Sequence, residues 1–165
     1  SGIGKTRLLV QVLEDAAGRG MRVAAGRAEE LEASRPFGVL AAAFGCTRSS
    51  PDPRRAAIAA LLAAQGAGEL GPITVTSDPG LRFRVVDAFT DLVEELALAG
   101  PLVIGLDDLQ WADPSSLLTL GVLGRRLDDL PVDGVRQRVA VGFRGPPPQQ
   151  MDADGAHQDR GEDEA

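Results

Sequence analysis

Lys5 is the single lysine among 165 residues that include sixteen arginines, and it lies in the sequence Ser1-Gly2-Ile3-Gly4-Lys5-Thr6. In a glycine-rich turn that leads into a helix, backbone N–H groups bind phosphate oxygens, and a lysine places a compact positive charge beside the terminal phosphates. The threonine hydroxyl that follows is suited to Mg²⁺. The segment therefore predicts a phosphate-binding loop. It corresponds to the second half of the Walker A motif G-x-x-x-x-G-K-[ST], whose first glycine would precede Ser1.

A second candidate group follows the apolar run Leu102–Leu106, which is typical of a parallel strand buried on both faces. Asp107 and Asp108 come directly after this run, and ligands of open α/β sheets bind at the carboxyl ends of the strands. We expect Asp107 to hold Mg²⁺ and Asp108 to polarise an attacking water. Because an Asp-Asp pair is also common in turns and helix caps, this prediction depends on its combination with the phosphate-binding loop.

Arg144 is the third candidate. It directly follows Arg138–Phe143, whose pattern predicts a further buried strand. A guanidinium at that position could sense or neutralise a γ-phosphate; the alternative is a solvated strand end. Two other residues receive structural interpretations. Trp111 is predicted to pack against the edge of the sheet, and Asp113 to cap the helix that begins at Pro114.

Apolar periodicity predicts the elements that would position these residues. Helices are expected over Thr6–Ala17, Arg54–Ala64, Leu81–Ala99 and Pro114–Leu127, with a mostly helical stretch over Glu29–Phe44 that Pro36 interrupts. Strands are expected over Met21–Ala25, Leu102–Leu106 and Arg138–Phe143, and loops over Thr47–Pro53 and Gln65–Gly80. The predicted apolar positions of the first and third helices are Leu8, Leu9, Val12, Leu13 and Ala16, and Phe83, Val86, Phe89, Leu92, Val93 and Leu96. Helices that alternate with buried strands indicate an α/β fold with a parallel sheet.

Composition narrows the class of protein. The net charge is −7, but six acids and one base lie in residues 146–165, so the remainder is close to neutral and predicts no basic surface for nucleic acid. The lone Cys46 excludes a disulfide framework and fits a reducing cytosol. No signal peptide and no apolar run of about 18 residues is present, so we expect a cytoplasmic protein that does not contact membranes. The Pro-rich, acidic segment 146–165 is predicted to be disordered.

Four strings of residues carry a family resemblance. They are Ser1–Leu9, Gly26–Glu32 with Pro36–Leu40, the string D-D-L-Q-W-A-D-P-S-S-L of residues 107–117, and Gly142-Phe143-Arg144. The third is the most specific, and the fourth is similar to a family sensor strand. Over residues 1–144 the chain resembles the ATPase module of the large ATP-binding LuxR-type transcriptional regulators, which belong to the STAND class of signal-transduction ATPases.

The resemblance implies a three-layer P-loop NTPase fold, in which helices flank a parallel sheet that lacks its first strand. Residues 1–145 would form a partial NTPase domain, with Walker A at 1–6, Walker B at 102–108 and the sensor strand at 138–144, followed by the disordered tail 146–165. The implied ligands are ATP or ADP and Mg²⁺. The implied cofactor-binding residues are Gly2, Ile3, Gly4, Lys5, Thr6 and Arg7. Thr6 and Asp107 would hold the metal, and Asp108 and Arg144 would have catalytic roles.

The resemblance also implies a regulatory switch that hydrolyses ATP slowly in a full-length parent protein. ATP and ADP would toggle that parent between assembled and closed forms, so the expected partners are nucleotide, the other domains of the parent and, on ATP binding, further copies. A distant helix-turn-helix, rather than this segment, would bind promoters. Two alternatives stay open. One is an inert truncated fragment, and the other is a P-loop kinase, against which the D-D-x-x-W-A-D string argues.

Overall fold

A computed structural model of the chain describes residues 3–66 and 79–128. Within these residues the helices are α1 (Ile3–Gly18), α2 (Gly38–Ala43), α3 (Pro53–Gly66), α4 (Pro79–Leu98) and α5 (Pro114–Asp128), and the strands are β1 (Arg22–Arg27) and β2 (Leu102–Asp107). Short 3-10 turns, Glu30–Glu32 and Leu109–Trp111, follow β1 and β2. The predicted strand Arg138–Phe143, Arg144, the tail 146–165 and most of the loop Gln65–Gly80 lie outside the described residues.

The two strands pair in parallel, with Arg22 opposite Leu102 and Arg27 opposite Asp107. This pairing, between helices, confirms the predicted α/β character. All six residues of β2 are buried, which also confirms that its continuous apolar run marks a strand covered on both faces. Because side chains alternate between the faces of a strand, Asp107 shares one face of the sheet with Gly105.

Helix α1 lies on that face. A Cβ atom added at Gly105 would come within 2.7 Å of Leu13 Cδ2, so the glycine allows the helix to approach the strand closely. Leu13 lies on a helical stripe with Thr6 and Ala16, and this stripe faces the sheet. Two predicted inward positions were wrong: Leu8 is 65% and Val12 is 44% exposed. Both lie off the stripe that carries Thr6, Leu13 and Ala16.

The main hydrophobic core lies on the opposite face of the sheet. Gly26 allows α2 to approach, because a Cβ there would lie 2.8 Å from the Val39 carbonyl oxygen. Phe89 of α4 is central to the core, with its ring centroid 6.0 Å from that of Phe37 and 6.2 Å from that of Phe44. Phe83 is 67% exposed instead of buried as predicted, since the core positions of α4 begin only at Val85.

Asp113 joins the start of α2 to the start of α5. Its Oδ1 accepts hydrogen bonds from the N–H groups of Ser115 and Ser116, each at 2.9 Å, which confirms the predicted N-cap. The Ser116 hydroxyl donates to Oδ2 at 2.5 Å. Oδ1 also accepts from the backbone N–H of Phe37 at 3.0 Å, where Phe37 has a left-handed φ of 60°. A buried carboxylate therefore holds two loops together.

Replacing Asp113 with Ala removes the acceptor for all of these buried donors. We expect the free energy of unfolding to fall by about 3 kcal/mol, because buried unpaired donors add their desolvation cost to the loss of the cap. Urea denaturation measures the change. Asp52→Ala is the matched control, since Asp52 is less buried and caps α3 through the Arg54 N–H, and its loss should cost about 1 kcal/mol. Equal losses in the two variants would contradict the joining role of Asp113.

Candidate functional site

The start of α1 meets the carboxyl end of β2. The Thr6 hydroxyl donates a hydrogen bond to Asp107 Oδ2 at 3.0 Å, although 101 positions separate the two residues in the sequence. Two structural features produce this contact: the stripe of α1 that carries Thr6 faces the sheet, and Asp107 points to the same face as Gly105. The fold therefore brings together the two residues predicted to hold a metal.

The Asp107 carboxylate is buried and held on both oxygens. Oδ1 accepts the Asp108 N–H at 3.0 Å, while Oδ2 accepts the Thr6 hydroxyl. A hydroxyl and a carboxylate are hard oxygen donors, which suit Mg²⁺. In the part of the chain that the structure describes, no group of three or more His, Cys, Asp or Glu residues could hold a metal. Mg²⁺ commonly takes only one or two ligands from carboxylates and the others from phosphate oxygens and water.

Asp108 contacts a different set of side chains. Its backbone is left-handed, with φ of 53°, and its carboxylate accepts a hydrogen bond from Arg27 and forms an ion pair with it. Arg27 Nε and Nη2 lie 2.8 Å and 2.7 Å from Asp108 Oδ2. The Gln110 amide donates to Oδ1 at 3.2 Å. The carboxylate predicted to polarise water is therefore engaged by Arg27 and Gln110.

Sequence reasoning did not identify Arg27 or Gln110. Gln110 lies two positions after Asp108 in the string used for the family resemblance, so its proximity could have been noticed. Arg27 lies in the string Gly26–Glu32, but it is 81 positions away from Asp108. The parallel register, which sets it opposite Asp107, places it at the site.

The remaining predicted residues lie at or near the start of α1. Ile3, Gly4, Lys5 and Arg7 belong to its first turns, whose free N–H groups and dipole favour an anion at this edge of the sheet. Gly2 and Arg144 are outside the described residues. Trp111, predicted to pack against the edge of the sheet, is 38% exposed and lies on the 3-10 turn that follows Asp108.

Cys46 supplies no nucleophile at this site. Burial raises the pKa of its thiol from the ordinary 9.0 to about 11, and the nearby Arg55 guanidinium offsets only part of that effect. The thiol is protonated at neutral pH, and the thiolate is the reactive form of cysteine.

A family model described as an AAA ATPase domain matches residues 1–135, which is most of the chain. It indicates a P-loop ATPase module that binds and hydrolyses nucleotide, and modules of this kind usually use Mg²⁺. No curated protein and no solved structure matches significantly. Among the described residues, none of the helices has the length and apolar character needed to cross a membrane.

Asp107→Asn tests the assignment of the metal. The amide keeps an oxygen that accepts the Thr6 hydrogen bond but removes the charge that attracts Mg²⁺. We expect the apparent affinity for Mg²⁺, measured by titrating the metal into chain and ATP, to fall on the order of tenfold or more. Asp87→Asn, on the exposed face of α4, is the matched control and should leave the titration unchanged. An unaltered metal affinity in Asp107→Asn would remove Asp107 from the metal site.

Proposed function

The chain belongs to the AAA ATPase domain family, and we propose that it is the ATP-dependent switch module of a larger signalling or transcriptional regulator. The contact between the Thr6 hydroxyl and Asp107 Oδ2 carries the nucleotide part of this proposal. It joins the proposed phosphate loop to the proposed metal-binding acid at the edge of the sheet where α/β proteins bind ligands. The regulatory part is supported by the resemblance of residues 107–117 to the LuxR-type STAND regulators.

Each residue of the site has a role in this proposal. N–H groups at the start of α1, together with Lys5, hold the phosphates. Thr6 and Asp107 bind Mg²⁺, which neutralises charge on the phosphate oxygens when it is present. Asp108 orients the attacking water, and Arg144 senses the γ-phosphate.

The surroundings of Asp108 favour slow hydrolysis. A carboxylate that is ion-paired with a guanidinium and also accepts a hydrogen bond from an amide has less capacity to accept a proton or hydrogen bond from water. Slow turnover suits a switch, in which the bound nucleotide sets the state of the protein, better than an enzyme that must release a product rapidly.

We also propose that residues 138–144 form the sensor strand beside β2. In support, β2 is buried along its length, and among the described residues it pairs with β1 alone. The partners we propose are nucleotide, the other domains of the parent protein and, in the ATP state, further copies of the module.

Binding of a fluorescent ATP analogue with Mg²⁺ to the chain and to Lys5→Ala tests the proposed function. We expect the substitution to weaken binding at least about tenfold, because it removes a charge-assisted contact to phosphate. Arg19→Ala is the matched control, since it removes a cation from the other end of α1, and it should bind as the unaltered chain does.

Two results would contradict the proposal. Equal binding by the chain and Lys5→Ala would exclude a phosphate loop at residues 1–6, and absence of binding by both would favour the inert fragment. Transfer of phosphate to an added small-molecule acceptor would instead support the kinase alternative.

A further inference from the structure

Arg27 lies at the same edge of the sheet as the proposed phosphate site, although the sequence analysis gave it no role there. It ends β1 and is paired with Asp107 in the parallel register. Residues paired in this way point to the same face of a sheet, and neighbouring strands are about 4.8 Å apart. Arg27 thus extends from the face on which Asp107 contacts Thr6, one strand away from the proposed metal.

The Arg27 guanidinium is both ion-paired and accessible. Its side chain is 67% exposed, while that of its partner, Asp108, is 12% exposed. A guanidinium carries five N–H donors in a planar fork, and the ion pair with Asp108 uses those on Nε and Nη2. An anion that reached this edge of the sheet would therefore meet the exposed Arg27 guanidinium, which is held there by Asp108.

Asp108 has a second restraint that would persist if Arg27 moved. Gln110 donates to Oδ1, whereas Arg27 donates to Oδ2. If the guanidinium withdrew, the Gln110 amide would still bind Oδ1 and orient the carboxylate. Gln110 can therefore orient the Asp108 carboxylate whether or not Arg27 is paired with it.

We propose that Arg27 exchanges between Asp108 and the terminal phosphate of a bound nucleoside triphosphate. The inference rests on the proposed function, because it requires a nucleotide at the start of α1. With a diphosphate or no nucleotide, Arg27 stays on Asp108. A γ-phosphate competes for the guanidinium, since the Arg fork binds phosphate as well as carboxylate. The exchange favours triphosphate over diphosphate and removes the Arg27 ion pair from Asp108.

A double-mutant cycle on Arg27 and Asp108 tests the exchange. The affinities of the chain, Arg27→Gln, Asp108→Asn and the double variant are measured for ADP and for a non-hydrolysable ATP analogue, both with Mg²⁺. Arg27→Gln should weaken the triphosphate about tenfold and change ADP less than about twofold, because only the triphosphate carries the group that Arg27 binds. Asp108→Asn should strengthen the triphosphate when Arg27 is present, since the carboxylate no longer competes, and this gain should shrink in the Arg27→Gln background.

Two further variants separate the exchange from a structural role. Arg54→Gln breaks a comparable ion pair, with Glu95 at 2.7 Å, on another part of the surface, and it should leave both affinities unchanged. Arg27→Lys keeps the charge but loses the planar fork, and it should recover part of the preference for triphosphate.

The possible failures are distinguishable. The exchange would be overturned, with the proposed function left standing, by any of three results. Arg27→Gln could weaken the binding of ADP and of the triphosphate equally, or weaken neither. Asp108→Asn could change triphosphate affinity by the same factor with and without Arg27. If the unaltered chain bound neither nucleotide, the proposed function and the exchange would both be overturned.

Discussion

The hydrogen bond between Thr6 and Asp107 requires that α1 lie directly on β2, and Gly105 is what permits this approach. Leu13 occupies the space where a side chain at position 105 would stand. A larger residue there would push the helix away from the strand and separate the hydroxyl from the carboxylate. The site thus depends on a backbone approach made two residues before the acid itself.

The parallel register of the strands then gives the two neighbouring acids different partners. Asp107 contacts the start of α1 through Thr6, whereas Asp108, with its left-handed backbone, contacts Arg27 at the end of β1. The loop that carries both acids is held again at Asp113, which binds the N–H of Phe37. Arg27 and Phe37 flank the segment between β1 and α2. Because each of them contacts the loop that carries the two acids, a displacement of that segment would also displace the loop.

Features set by short stretches of sequence could be predicted. The apolar run of β2, the cap at Asp113 and the start of α5 depend on neighbouring residues, and the structure confirms them. The pair of Arg27 and Asp108 could not be predicted, because it depends on the register of two strands far apart in the sequence. Periodicity also identified the apolar positions of each helix, but it could not show how much of the helix the neighbouring elements cover. Leu8 and Phe83 were therefore wrongly expected to be buried. The role of Arg144 stays a prediction.

Emission from Trp111, the single tryptophan of the chain, tests most directly whether nucleotide and Mg²⁺ act at the contact of Thr6 with Asp107. Trp111 is partly exposed on the turn that follows the two acids. We expect a saturable change in emission that requires both Mg²⁺ and a non-hydrolysable ATP analogue and that is lost in Thr6→Val. The same change in emission without Mg²⁺, or in Thr6→Val, would contradict the central role of this contact. So would an unchanged emission under conditions in which equilibrium dialysis shows that nucleotide is bound.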